Sequence, residues 1–354
     1  MVMINTMHDN IALWPNASED PKTIEYWLGG IYSDELVVAI VNSRAFLRLN
    51  DISFLGALDY THEGGDKLKK QHRNRAEHSL HVAALASYVS DLRSYPADLR
   101  RHLIVAALLH DIGHAPLSHS AEPYIKKKIG YGHHEAGEQI IRGKTPLGSE
   151  LHKILRQNLD VDLILRLIDA TAHPEDGGDL FSSPLNIDTI DGIVRSHSYI
   201  TGFRSTQSRL SIAKAAFFDK TNHHLSVLDS FWGMKDRVYS SLINNEFGVI
   251  SDKSSELFFY DNGGLEEDDI YSSERSWQQR HKALFKSFER LMKERAKPSW
   301  IGDCDVIFTD RKYYLDQDKT DHGRFVCAKE KRSLRVNLFG RGVSNCKQVA
   351  FGKF

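Results

Sequence analysis

Leu108-Leu109-His110-Asp111-Ile112-Gly113-His114-Ala115-Pro116-Leu117-Ser118-His119 sets an adjacent His-Asp pair, then two more histidines, directly behind an apolar helical run. Neighbouring residues on a regular helix point about 100° apart. His110 and Asp111 can therefore meet at one ion only where a helix ends or packs tightly against other ligand-bearing helices. The pair suggests a metal-binding corner; the alternative is a helix-end pair packed together by chance.

The partners to look for are metal-type residues amid apolar helical positions. Upstream, Arg75-Ala76-Glu77-His78-Ser79-Leu80-His81-Val82 opens a run of helical apolar spacing. Downstream, Asn186-Ile187-Asp188-Thr189-Ile190-Asp191 places two acids three residues apart, on one helix face. His78, His110, Asp111 and Asp188 then make a mixed nitrogen and oxygen set suited to Mn, Fe, Co or Zn, with positions left for water and substrate. Such an ion lowers the pKa of a bound water and polarises a phosphoryl oxygen, which is what phosphoester hydrolysis needs.

The order His, His-Asp, Asp resembles the HD-domain phosphohydrolases. Within them the chain resembles the deoxynucleoside triphosphate triphosphohydrolases, the group of the bacterial dGTPases and the animal sterile-alpha-motif HD enzyme. Arg75 to Leu80 resembles that group's R-F-E-H-S-L, and His110 to His119 its H-D-L-G-H-G-P-F-S-H. His134-Glu135 resembles its H-E, and Asp188 to Asp191 its D-K-W-D. Ser43 to Leu49, followed by Ile52 and Leu55-Gly56, resembles F-Q-R-L-R-x-I-K-Q-L-G. The match runs in order from about Ser33 to Arg195, with fainter echoes at Asp321 to Phe325 and Leu334 to Val336.

The resemblance implies a mainly α HD-domain helical bundle. It also implies hydrolysis of a dNTP to deoxynucleoside and tripolyphosphate by attack of a metal-bound water on the α-phosphorus. A divalent transition metal, with a second Mg as an option, and assembly into homo-oligomers go with it. His114, His119 and His134 are expected as catalytic groups on the phosphate side, with His119 near the attacking or departing oxygen and Glu135 orienting a neighbour. Imidazole suits such work because its ordinary pKa is about 6.5. His133 could exchange roles with His134, although the motif favours His134. Arg75 shares a helix face with His78 and would fork onto phosphate oxygens. Asp191 is grouped with the substrate-binding residues, although one turn after Asp188 it could also orient a metal-bound histidine or cap local structure. Tyr239, in a Val238-Tyr239 pair that resembles the group's V-Y-x-H, completes the substrate set. His102, His152, His173, His223 and His224 read as surface or structural, and Lys126 to Lys128 as a solvated helix face more readily than a substrate-attracting patch.

Several positions depart from the group's pattern. Phe54 stands at its sugar-contacting glutamine, Thr189 at its lysine, Gly192 at its tyrosine and Ser196 at its ribose-binding aspartate. Ser241 replaces the last histidine of V-Y-x-H, and Asn50 an arginine used for regulatory nucleotides. The losses fall on the sugar and base side, so phosphate hydrolysis is better supported than any particular nucleotide. Two other readings compete. One is a nucleotide phosphatase or cyclic-nucleotide phosphodiesterase, although the GYP triplet of the cyclic-dinucleotide branch is absent. The other is a non-catalytic nucleotide-sensing or nucleic-acid-binding module, which the intact ligand set argues against.

Composition narrows the class. The 354 residues, 41% apolar and 26% charged, suit an ordinary globular protein of one large domain or a domain with an appendage. A net charge of -1 gives no global attraction to nucleic acid or anionic membrane, so any such binding needs a local patch. Cys304, Cys327 and Cys346 form no CxxC pair, which fits a reducing cytoplasm. No leader pattern and no long apolar stretch stand out, so a soluble cytoplasmic protein is expected.

Breakers at Pro15, Pro21 and Gly29-Gly30 suggest an irregular lead-in over residues 1–30, a helical HD body over 31–250 and a helical and β-containing appendage over 251–354. Helices are expected over Glu35 to Leu49, Arg75 to Leu92, Leu99 to His110, Glu135 to Ile141, Leu151 to Leu155, Leu163 to Asp169, Asp188 to Ser196 and Glu274 to Lys297. Gly56 to Asn74, with Gly64-Gly65 and Lys67, Lys69, Lys70 and Arg73, reads as a loop or flap. Short strands are expected at Asp305 to Thr309, Arg324 to Ala328 and Ser333 to Leu338.

Overall fold

A computed structural model describes residues 20–61, 74–202, 208–218, 222–262, 264–302 and 305–335. The Gly64-Gly65 flap with its lysines and Arg73, Cys304, Cys346 and the side chains of His223 and His224 lie outside the described residues. The helices are α1 Ile24–Ile31, α2 Glu35–Val41, α3 Arg44–Leu47, α4 Leu58–Thr61, α5 Arg75–Leu92, α6 Ala97–Leu109, α7 Ser118–Ile129, α8 His133–Ile141, α9 Ser149–Asn158, α10 Val161–Ile168, α11 Asp179–Ser182, α12 Ile187–Thr201, α13 Arg209–Phe217, α14 Asn222–Val238, α15 Glu246–Asp261, α16 Glu274–Arg280 and α17 Lys282–Glu294. One antiparallel hairpin, β1 Asp305–Leu315 with β2 Phe325–Arg335, follows in register from Asp305 opposite Arg335 to Leu315 opposite Phe325. The mainly α class with a small C-terminal β region is therefore what the chain adopts.

The centre of the bundle is α5 packed along α6. The side chain of Asn74 caps α5 by accepting from Glu77 N, and Ala83, Ala84 and Ala86 keep the helix slim enough for neighbours on several sides. Leu103 to Leu109 of α6 are all buried, as befits a helix with apolar residues on every face. The main core runs from Trp27 of α1 to Tyr313 of β1. A second core joins Leu117, Ala121 and Tyr124 to Phe258, Phe259, Trp277 and Phe288. The division drawn at 250 falls inside α15, and the lead-in drawn to 30 overlaps α1, whose Trp27 and Leu28 are core residues.

Three local expectations change. The helix read over Glu35 to Leu49 breaks at Ser43, which is extended and whose hydroxyl accepts from Phe46 N to start α3. The helix read over Glu274 to Lys297 breaks at His281, with φ -109° and ψ 45°. The strands read at Arg324 and Ser333 are the two ends of one strand, β2, whose middle, Lys329 to Ser333, is exposed. Trp232 of α14 fastens the hairpin, its Nε1 donating to Tyr314 O at 3.1 Å and Val326 O at 3.2 Å. No described helix is long and apolar enough to cross a membrane.

Candidate metal centre

Two helices, the end of a third and the turn that follows it position the four residues read as metal ligands. His78 lies one turn into α5, His110 caps the C-terminus of α6, and Asp188 opens α12. Because α6 ends at Leu109, Asp111 is freed from helical spacing and can turn to the same point as His110. His78 Nε2 lies 3.3 Å from His110 Nε2, 3.0 Å from Asp188 Oδ1 and 3.6 Å from Asp111 Oδ2. His110 Nε2 lies 3.5 Å from Asp111 Oδ1 and 3.8 Å from Asp188 Oδ1. Ligands bonded at about 2.1 Å to one ion sit roughly 3.0 to 3.4 Å apart, close to these spacings.

The tautomers agree with an ion. His78 Nδ1–H donates to Asp191 Oδ2 at 2.7 Å, and His110 Nδ1–H to Ala107 O at 2.8 Å. In the neutral rings this leaves both Nε2 lone pairs facing one another, an arrangement a cation between them relieves. The donor set fits a divalent transition metal. Asp111 is buried, yet the cations Arg75 and His110 hold it well below the usual carboxylate range. Burial opposes a charge on His110, but without an ion Asp111 and Asp188 outweigh it and raise the ring to about 9, so that metal binding has to displace its Nε2 proton.

Asp191 stands behind His78. It is fully buried, but the guanidiniums of Arg195 (3.0 Å) and Arg209 (2.5 Å) keep it ionised. Both of its oxygens are engaged by His78, Arg195 and Arg209, a placement that suits orienting the His78 ring, the other role the sequence offered for it. Arg195 also reaches Glu77 at 3.3 Å and His81 at 3.0 Å. The signal that could have found it is its i,i+4 spacing from Asp191.

A second group of histidines adjoins the first. His114 Nε2, buried, lies 3.2 Å from Asp111 Oδ1 without making a hydrogen bond. Its ring stacks on His133 with centroids 4.0 Å apart and meets His119 edge-on. Glu122 joins two of these rings, lying 3.0 Å from His119 Nδ1 and 2.6 Å from His133 Nδ1. The burial of Glu122 favours its protonated form, but hydrogen bonds from both histidines prevail and keep it ionised. Burial first, then the Arg75 guanidinium and the neighbouring His133, hold His114 neutral. Gly113 permits the stack, because a Cβ there would lie 2.0 Å from His133 O.

The structure places His133, rather than His134, in this group; His134 only packs on the His133 ring. Among the described residues the Glu135 carboxylate accepts from Gly132 N at 2.9 Å and caps α8. Tyr239 packs on Tyr313, with Arg311 Nη1 at 3.3 Å from its hydroxyl. His102 is structural, accepting from Asp160 N at 2.9 Å. Lys126 to Lys128 are exposed, as read from the sequence, and Lys126 pairs with Glu122 at 3.2 Å beside the histidine group.

Lys235 was not singled out by sequence. It is buried on α14, its ammonium 4.8 Å from the ring centroids of Trp232 and Tyr313. Burial pushes it down to about 8, while Asp188 lies near enough to support its charge. A lysine in mid-helix ordinarily reads as solvated, and only the hairpin folded over α14 reveals it. Phe54 closes another side, with Arg75 and Arg195 over its ring at 5.1 and 5.6 Å and His78 beside it.

Residues 75–196 match the HD domain family, and the chain carries an HD domain. An uncharacterized protein of Mycoplasma pneumoniae is 33% identical over 175 residues, covering 46% of this chain and 39% of that one. A deoxyguanosinetriphosphate triphosphohydrolase-like protein of Rickettsia typhi is 32% identical over 106 residues, 29% of this chain and 25% of that one. The chain thus spans well under half the length of these curated relatives. A crystal structure of a hypothetical protein from Aquifex aeolicus shares the fold, with a TM-score of 0.60 at 16% identity over 80% of this chain and 86% of that one. HD domains bind divalent metals, and the His78, His110 and Asp111 cluster could hold one.

Proposed function

We propose that the chain is a metal-dependent phosphohydrolase acting on nucleotides, releasing tripolyphosphate from a dNTP. The observation that carries this reading is that Asp111 joins the two groups: Oδ1 lies 3.5 Å from His110 Nε2 and 3.2 Å from His114 Nε2, while Oδ2 lies 3.6 Å from His78 Nε2 and accepts from Arg75 Nη1 at 2.7 Å. A phosphorus atom placed between the two groups has an ion on one flank and proton-transferring imidazoles on the other. Bound there, the metal supplies an activated water and polarises a phosphoryl oxygen.

The chain's own groups do the rest. Arg75 gives Nε to Ser118 and Nη1 to Asp111, and no described residue hydrogen-bonds its Nη2, which is left for a phosphate oxygen. Lys235 adds a second cation beside Asp188. His119, with 62% of its side chain exposed and Nδ1 tied to Glu122, delivers a proton to the departing ester oxygen. Neutral His114, stacked on His133, presents a lone pair toward the same space.

Phe54 lies 3.8 Å from where a Cβ on Gly192 would sit, so the paired departures there fill one volume with one ring. That observation favours a changed sugar pocket and keeps a nucleotide phosphatase or cyclic-nucleotide phosphodiesterase as the second reading.

The test incubates metal-reconstituted protein, beside Asp111→Ala, with dNTPs, NTPs, monophosphates and cyclic nucleotides, resolving products by ion exchange. Nucleoside plus tripolyphosphate, lost in the variant, is expected. Orthophosphate or a linear monophosphate would move the assignment to the second reading, and no product would overturn hydrolysis of these substrates.

A further inference from the structure

Glu274, the first residue of α16, is 3% exposed and forms no ion pair among the described residues. Four neutral donors surround it instead. Oε2 accepts from Ser53 N at 3.0 Å, Ser53 Oγ at 2.8 Å and Leu117 N at 2.9 Å, while Oε1 accepts from the Tyr60 hydroxyl. A buried carboxylate without a cation is an expensive way to join two segments, since neutral side chains of similar volume would serve for packing alone.

What it joins is informative. Leu117 and Ser118 are successive non-glycine residues in the left-handed region, with φ of 61° and 43°, a conformation that L side chains resist. The Leu117 N–H bond to Glu274 holds that turn. It places Ser118 Oγ so that it donates to Ser53 O at 2.5 Å and accepts from Arg75 Nε at 3.1 Å. Arg75 Nη1 then donates to Asp111 Oδ2 at 2.7 Å. Residues 52–53 also clamp the start of α5, through Arg75 N to Ile52 O at 3.0 Å and a bridge of Ser53 with Asn74.

We propose that Glu274 is a positioning residue for the metal centre: through Ser53 and the Leu117-Ser118 turn it fixes Ser118 under Arg75, and so sets the Asp111 carboxylate toward the ion. The proposal rests on the metal-centre reading. It predicts that a side chain outside the HD domain governs ion affinity.

The test titrates Co(II) into metal-free protein, followed by its visible absorption, alongside thermal melts without metal. Glu274→Ala should weaken Co(II) binding about tenfold or more, whereas Glu274→Gln, whose amide oxygen accepts the same three bonds, should stay within about threefold. Ser118→Ala should weaken binding as Glu274→Ala does, and the double variant should bind no more weakly than either single one, because both cut the same chain of contacts. A Glu274→Ala protein that melts lower but binds Co(II) as tightly as the parent would overturn the proposal, as would losses that multiply in the double variant. Should Glu274→Ala not fold, Ser53→Ala removes only the hydroxyl bond to Oε2. A weaker Co(II) affinity there supports the proposal, and an unchanged one overturns it. A parent chain that binds no Co(II) overturns the metal-centre reading itself.

Discussion

Which nitrogen of His78 carries the proton depends on Asp191, since that carboxylate can only accept. In Asp191→Asn the amide can turn its NH2 to Nδ1 and move the ring proton onto Nε2, toward the ion. Metal affinity should then fall by about 10- to 100-fold, read by calorimetric titration of Mn(II). Lys235 gives a pH signature. With the ammonium lowered to about 8, the free enzyme loses this cation as pH rises through that value. KM for a nucleotide substrate should therefore climb above about pH 8, while Lys235→Arg, whose guanidinium stays charged, should hold KM flat to about pH 9. A KM that climbs alike in both would remove Lys235 from substrate binding. The cluster of His78, His110 and Asp111 was legible from the ordered set of motifs and not from the His-Asp pair alone, which a helix end can carry by chance. Lys235 was not, because its importance comes from Trp232 and Tyr313, which lie about 80 positions apart. His133 was passed over for its neighbour because the two stand side by side in sequence, and only the direction in which α8 starts decides which ring meets Glu122.

The helices of the HD body follow from apolar spacing and caps. Asn74, Asn186 and Asp160 each cap a helix through the side chain, and such residues before an apolar run are readable without a structure. The misread elements failed for local reasons. Ser43 is a cap hidden inside an apolar stretch, so α2 and α3 looked like one helix. The middle of β2 is polar on both faces, so one strand looked like two. At this level Gly113 carries a sharp expectation. Its alanine variant would push against His133 O and Gly137 N, both backbone atoms, and so move the whole start of α8. A loss of about 2 kcal/mol or more, measured by urea unfolding, should come with lost hydrolysis even though no polar atom is removed.

Helix α7 belongs to the second hydrophobic core through Ala121, Tyr124 and Ile125, packs on α15 and carries His119 and Glu122. Ser120 on α7 donates to Asp252 on α15 at 2.5 Å, and burial pushes Asp252 up to about 6. The folded protein therefore binds this proton more tightly than the unfolded chain does. Stability from this group is fully present below about pH 4 and is lost as pH rises to about 6, by at most about 3 kcal/mol. Asp252→Asn should gain stability over the parent across that window and hold a constant advantage above it, as read from melting temperatures. An advantage that does not vary between pH 4 and 6 would show that Asp252 does not titrate there. Nothing in the sequence hinted at this contact, which spans 132 positions.

The ligand set is not evenly enclosed. Side chains of His78, His110 and Asp111 are 0%, 11% and 6% exposed, but Asp188 is 54% exposed. A chelator arriving from solvent meets that carboxylate first and can take its coordination position while the buried ligands still hold the ion. Exchange should then be associative, with an off-rate that rises with chelator concentration instead of levelling at a spontaneous limit. The ion found in the protein would then reflect the free-metal levels of its surroundings at the time, and could change when those levels do.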